Sequence, residues 1–251
     1  RLMAKTGIIG GSGLEDPAIL KDCKEIECTT RWGHPSSALL EGTINNREVI
    51  LLSRHGREHT IPPTQVNNRA NIQALEDQGC SSIIATTACG SLRREYWRGD
   101  IIIADQFIDF TRSRELSFYT AFEPGNMKHT AMADPFDNLL REKLIAAAGA
   151  SGIELHKSGT IITIEGPRFS TRAESKMFRA WGADLVNMST APEAILANEL
   201  GIAYATIAMS TDYDSWHEDE APVSWEEVIR IFNNNVSKVL ALISNYFSLS
   251  T

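Results

Sequence analysis

Residues 202–209 are apolar or β-favouring at every position, with little alternation. A strand covered on both faces has this texture, whereas a half-exposed strand alternates. The run ends in Ser210-Thr211-Asp212-Tyr213-Asp214. Similar runs at residues 6–10, 48–53, 82–90, 99–108, 158–164 and 184–187 predict further strands. Between them the apolar positions fall at helical spacing. One helix is expected from Pro62 or Pro63 to about Gln78, with Val66, Ala70 and Leu75 inward and Gly79 as its stop. A second covers residues 135–150, its apolar face built from Leu139, Leu140, Leu144 and Ile145. A third starts at Thr171, which has capping-box spacing to Glu174, and runs to Trp181-Gly182. A fourth covers residues 192–200 and is closed by Gly201. The last starts at Ser224, with Glu227 three residues on, and carries the stripe Val228, Ile231, Phe232, Val236, Val239, Leu240 and Ile243.

A short helix is also expected at residues 14–20. Residues 111–134 are long, polar and poorly patterned, which marks a functional or mobile loop. Strands alternate with helices, and no repeat, low-complexity tract or linker divides the chain. The expectation is one α/β domain over residues 1–251.

Composition narrows the function classes. At 43% hydrophobic and 22% charged, 251 residues supply ample core for such a domain. A formal charge of -8 argues against a broad nucleic-acid or anionic-membrane partner, though not against a small anion site. Cys23, Cys28, Cys80 and Cys89 form no Cys-x-x-Cys pair, and no zinc spacing links them to the histidines. Reduced thiols and no metal are expected. No apolar run reaches the length of a membrane span and no secretory leader is visible, so a cytoplasmic location, with the nucleus also open to it, is expected.

Candidate chemistry gathers at predicted strand ends, where ligands of open α/β sheets bind. Asp212 and Asp214 point to one side if the strand persists that far. Gly10-Gly11-Ser12-Gly13 can offer amides and a hydroxyl to an anion. It fails the dinucleotide fingerprint at Asp16, has no Gly-Lys-Ser/Thr, and has Leu14 where the nucleophile elbow needs glycine. Arg54-His55-Gly56-Arg57-Glu58-His59 follows a buried strand and brings a planar donor set suited to phosphate. Each segment alone can also be read as an ordinary turn or solvated loop. Together they describe two ends of a site. Ser12, Arg54, His55, Thr87 and Ser189 are donors suited to phosphate. Phe169, Met188, Asp212 and Asp214 suit an aromatic, hydrogen-bonding ring. No nucleophile and base pair lies between them, which favours phosphate as the attacking group.

Residues 7–14, 54–57, 86–92, 164–170, 187–190 and 211–214, taken in order, resemble the trimeric purine nucleoside phosphorylase family, and its 5′-methylthioadenosine phosphorylases in particular. The resemblance implies a mixed central β-sheet flanked by helices, and a homotrimer with shared active sites. It implies phosphate binding by Ser12, Arg54, His55, Thr87, Ala88 and Ser189. It places Phe169 and Met188 against purine and sugar, and Ser170, Asp212 and Asp214 around the base, the two acids in catalytic roles. Trp225, Val228 and Ile229 fall at the 5′ pocket, and His129 matches a histidine that crosses into a neighbour's site. Two features depart from the family: Trp225 replaces a smaller apolar residue, and relatives continue past Thr251 with a capping segment. The implied reaction is phosphorolysis of 5′-methylthioadenosine, with phosphate as co-substrate and no cofactor. The partners expected are a small nucleoside and phosphate, with no nucleic acid or membrane. Alternatives are an adenosine- or inosine-preferring phosphorylase, a non-catalytic nucleoside-binding protein and, weakened by Asp16, a dinucleotide enzyme.

Overall fold

Neighbouring side chains on a strand point to opposite faces, and the pairs Ile8/Ile9, Leu51/Ile50 and Ile84/Ile83 divide accordingly. The first of each pair joins one apolar cluster and the second joins another. A sheet therefore runs through the middle with a core on each side. The computed structural model describes residues 5–11, 19–219 and 223–249. Its elements in chain order are β1 (Lys5–Gly10), β2 (Lys21–Ile26), β3 (Leu39–Ile44), β4 (Arg47–Ser53), α1 (Asn68–Asp77), β5 (Cys80–Ser91), β6 (Ile101–Ile103) and β7 (Gln106–Phe110). These are followed by α2 (Asn138–Ala150), β8 (Thr160–Ile164), α3 (Arg172–Ala180), β9 (Leu185–Asn187), α4 (Thr190–Glu199), β10 (Ala203–Tyr213) and α5 (Trp225–Leu249).

The strand path is β2-β3-β4-β1-β5-β9-β8-β7, with β10 paired to β5 and β6 paired to β10. Pairs β1/β4, β1/β5, β10/β5, β7/β8 and β8/β9 are parallel and the rest antiparallel, so the sheet is mixed. On one face α2 and α5 bury Leu140, Leu144, Phe232, Val239 and Ile243 against Ile8, Ala205 and Met209. On the other, α1 and α4 bury Ile72, Leu75, Ala194 and Leu196 against Ile9, Ile83 and Tyr204. A third cluster joins Phe178 of α3 to Val186, Tyr213 and Trp216.

Several expectations change. β2 and β3 are unanticipated strands; β2 lies at the edge of the sheet and its side chains are almost all exposed, so no apolar period marks it. The helix expected from Pro62 or Pro63 begins only at Asn68. Pro63–Gln65 forms a separate 3-10 turn, and the Asn67 side chain caps α1 by accepting from the Ala70 amide. The isoleucine-rich run at 99–108 splits at Ala104-Asp105 into β6, which pairs with β10, and β7, which pairs with β8. Asp105 accepts there from the Gly159 amide. Leu139 is exposed, and the buried face of α2 is Leu140, Leu144, Ala147 and Ala148. The capping box at Thr171 and Glu174 is present. The 111–134 segment carries no helix or strand, and all four cysteines are free thiols. Ser12 and most of the short helix expected at 14–20 lie outside the described residues.

Candidate active site

The sheet divides along β5. On one edge β5 pairs with β1 up to Ile9↔Ala85, and with β9 only from Gly90↔Val186. Between those registers, residues 86–89 face no strand on that edge among the described residues, while β10 pairs with them along the other. A cavity of about 580 Å³ opens beside this gap, within the range that holds a small organic ligand. Arg54, His55, Thr87, Ala88, Phe169, Ser170, Met188, Ser189, Asp212, Asp214, Trp225 and Val228 all line it.

Its anion-suited end rests on a buried arginine. Arg54 follows β4 directly and is 2% exposed. Its Nε and Nη2 donate to Glu193 Oε1 and Oε2 at 2.5 and 3.1 Å, and Nη1 donates to the Thr86 carbonyl at 2.9 Å. Gly11 leaves room for this fork: a Cβ there would lie 2.6 Å from Arg54 Nη1 and 2.8 Å from the Thr86 carbonyl oxygen. Gly11 thus has a steric reason to be glycine. Ser189 holds the N-cap position of α4, yet its hydroxyl makes no capping bond. That hydroxyl sits 3.4 Å from Thr87 Oγ1 instead. Helix N-termini present amides that favour anions. Asn187 orders the hydroxyls: its Nδ2 donates to Thr87 Oγ1 at 3.1 Å and to Thr190 Oγ1 at 2.6 Å, while its Oδ1 accepts from Thr163 at 2.9 Å. His55 Nδ1 lies 2.8 Å from the Ile61 carbonyl. A carbonyl only accepts, so the hydrogen sits on Nδ1. The His55 ring packs on His59, and His59 on Trp225, with centroids 4.6 and 5.2 Å apart.

The opposite end is the carboxylate pair. β10 pairs Ser210 with Cys89 but Asp212 with Gly90, so Thr211 is an extra, bulged residue. Bulges re-aim the side chains that follow, and here Asp212 and Asp214 both turn into the cavity. The ladder continues past β10 through the Asp214 amide, which donates to the Ser91 carbonyl at 3.0 Å. Gly90 lets the acids approach: a Cβ there would lie 3.1 Å from Asp212 Oδ2 and 3.2 Å from Asp214 Cβ. Burial pushes Asp212 up to about 7; the Thr211 hydroxyl, donating to Oδ1 at 2.8 Å, works against this, and the Asp214 charge adds to it. Burial also raises Asp214, opposed by the Ser175 hydroxyl and the Ser215 amide. Asp214 Oδ2 is buried without a hydrogen-bond partner among the described residues.

Two anticipated residues lie outside the cavity of this chain. Ile229 sits on α5 one residue beyond Val228 but does not reach the lining. His129 is in the 111–134 segment, where it packs edge-on to Phe122. Sequence reading missed Glu193, Asn187 and His59 as site residues. His59 carried a signal in the cluster after Ser53, Asn187 opens the resembling stretch 187–190, and Glu193 carried none.

The model of the phosphorylase superfamily matches residues 5–248. The chain is 54% identical over 243 residues to the S-methyl-5′-thioadenosine phosphorylase of Xenopus tropicalis, covering 95% of this chain and 86% of the relative. The Danio rerio enzyme of the same name is 50% identical over 241 residues, with the same coverage. Among solved structures, methylthioadenosine phosphorylase from Schistosoma mansoni in complex with adenine superposes with a TM-score of 0.93 at 41% identity, covering 98% of this chain and 91% of that one. A point mutant of the Schistosoma mansoni adenosine/methylthioadenosine phosphorylase, in complex with methylthioadenosine, gives 0.92 at 40% identity with the same coverage. With a cavity in a gap of the sheet, hydroxyls and an arginine at one end and paired acids at the other, the chain belongs to the phosphorylase superfamily, among its S-methyl-5′-thioadenosine phosphorylases.

Proposed function

We propose that the chain cleaves 5′-methylthioadenosine with phosphate, giving adenine and 5-methylthioribose 1-phosphate. The observation that carries this reading is one cavity bordered by Arg54, Thr87 and Ser189 at one end and by Asp212, with its carboxyl raised to about 7, at the other. As the glycosidic bond lengthens, the sugar gains positive charge and the purine negative charge. Phosphate held by Arg54, Thr87, Ser189, His55 and the Ala88 amide stabilises the cationic sugar and attacks its anomeric carbon. The leaving purine needs a proton or a strong hydrogen bond at N7. Asp212 supplies it, since an acid poised near neutrality is protonated often enough to donate. Asp214 accepts from the 6-amino group, and Ser170 and Phe169 complete the base contacts. Carboxylates accept, so the pair favours a 6-aminopurine over a 6-oxopurine. These steps call for no metal or organic cofactor.

Trp225, Val228 and Met188 form the wall for the 5′-group. The assembly proposed is a homotrimer in which His129 enters a neighbour's site. In support, the His129 segment exposes Tyr119, Phe122 and Met127, an apolar set that association would cover. No helix among the described residues is long and apolar enough to cross a membrane. A cytoplasmic location remains part of the proposal.

The test is a substrate panel at saturating phosphate. The kcat/KM values should rank methylthioadenosine and adenosine well above inosine. A preference for inosine would overturn the assignment of the acid pair to an adenine ring.

A further inference from the structure

Among the described residues, the catalytic reading leaves one buried acidic side chain, Glu193, without a task. Glu193 is 1% exposed and sits in the first turn of α4, four residues after Ser189. Residues four apart share a helix face, so α4 turns Glu193 and Ser189 toward the same region. Both Glu193 oxygens bind Arg54, and the Tyr204 hydroxyl donates to Oε2 at 2.7 Å. Thr206 in turn donates to Tyr204 Oη at 3.1 Å. Burial and the Glu193 charge push the Tyr204 hydroxyl well above its ordinary range, so it stays a donor.

We propose that Glu193, held by Tyr204, is a positioning residue that fixes the Arg54 guanidinium for phosphate. A bidentate carboxylate fixes the plane and rotation of a guanidinium, which a single hydrogen bond cannot do. The Thr86 carbonyl fixes the third direction. Arginine has a long, rotamer-rich side chain, so without this clamp anion binding would carry the entropy of ordering it. Glu193 also cancels the formal charge of Arg54. Phosphate therefore meets oriented donors and the α4 N-terminus more than a net positive charge.

This inference rests on the phosphorylase reading, and the experiment separates the two. Wild-type enzyme, E193Q and Y204F are compared by KM for phosphate, KM for methylthioadenosine and kcat. Thermal melting with and without inorganic phosphate is measured in parallel. Glu193→Gln keeps the volume but breaks the paired acceptor. It should raise phosphate KM by about 10–100-fold, as expected for a charge-assisted hydrogen-bond network, while nucleoside KM stays within about twofold. The stabilisation of the fold by phosphate should shrink in step. Tyr204→Phe leaves the ion pair but loosens it, and should raise phosphate KM by about three- to tenfold. A folded E193Q with unchanged phosphate KM overturns the proposal. So does a fall in phosphate KM, which would show Glu193 acting as a competing charge. If E193Q fails to fold, Y204F decides, and an unchanged phosphate KM there overturns it. If wild-type enzyme needs no phosphate at all, the phosphorylase reading has failed instead.

Discussion

Replacing Asp212 with Asn should make the protein more stable and less active, in a pH-dependent way. In the folded chain the carboxyl titrates near 7 rather than at 3.8, chiefly through burial. The folded state therefore binds the proton more tightly than the unfolded state does. Between about pH 4 and pH 7 it holds more protons, so stability falls as pH rises through that window. The destabilisation is absent below about pH 4 and complete above about pH 7. At about 1.36 kcal/mol per pH unit, the full effect is about 4 kcal/mol, of which about 2–3 kcal/mol develops between pH 5 and pH 8. Asn has no ionisation and can still accept from the Thr211 hydroxyl. It also removes the like charge beside Asp214, which works in the same direction. Urea unfolding of wild type and D212N at pH 5 and pH 8 measures the effect. The variant should gain about 2–3 kcal/mol on wild type between the two pH values. Its cleavage of methylthioadenosine should fall ~10²–10⁴, the usual worth of a general acid. If both proteins lose stability equally from pH 5 to pH 8, Asp212 is not the buried acid described here.

Other consequences are open to measurement. Arg54→Ala should lower kcat by ~10²–10³ and raise phosphate KM, because it removes a charge-assisted donor from the attacking group. Near-normal kinetics at limiting phosphate would exclude that role. With Asp212 as the proton donor, kcat/KM should decline above pH 7 by about tenfold per unit, and a profile flat to pH 9 would contradict it. Light scattering should give the mass of a trimer, and a fully active monomer at assay concentration would sink the shared-site proposal.

The parts of the fold that could be read in sequence were those where one chain segment settles the matter. The run that became β10 is buried on both faces, so its apolar texture is unbroken. Thr171 and Glu174 cap α3 within four residues. β2 was invisible because a solvent-facing edge strand needs no apolar period, and its pairing depends on β3 across the sheet. The late start of α1 follows from Asn67 competing with the two prolines, a contest that spacing does not decide. At the site, the strand-end donors and acids were legible as residue types. What holds them was not. Glu193 reaches Arg54 across 139 positions of sequence, and the bulge at Thr211 that aims Asp212 exists only in the register of two strands.

The dependence of adenine release on phosphate bears most directly on the function. Adenine formed from methylthioadenosine by the purified chain is followed while inorganic phosphate is titrated from zero. The rate should rise from near zero to a plateau, with 5-methylthioribose 1-phosphate formed in equal amount. Adenine released at the plateau rate without phosphate, together with free methylthioribose, would show that water attacks, and phosphorolysis would be wrong.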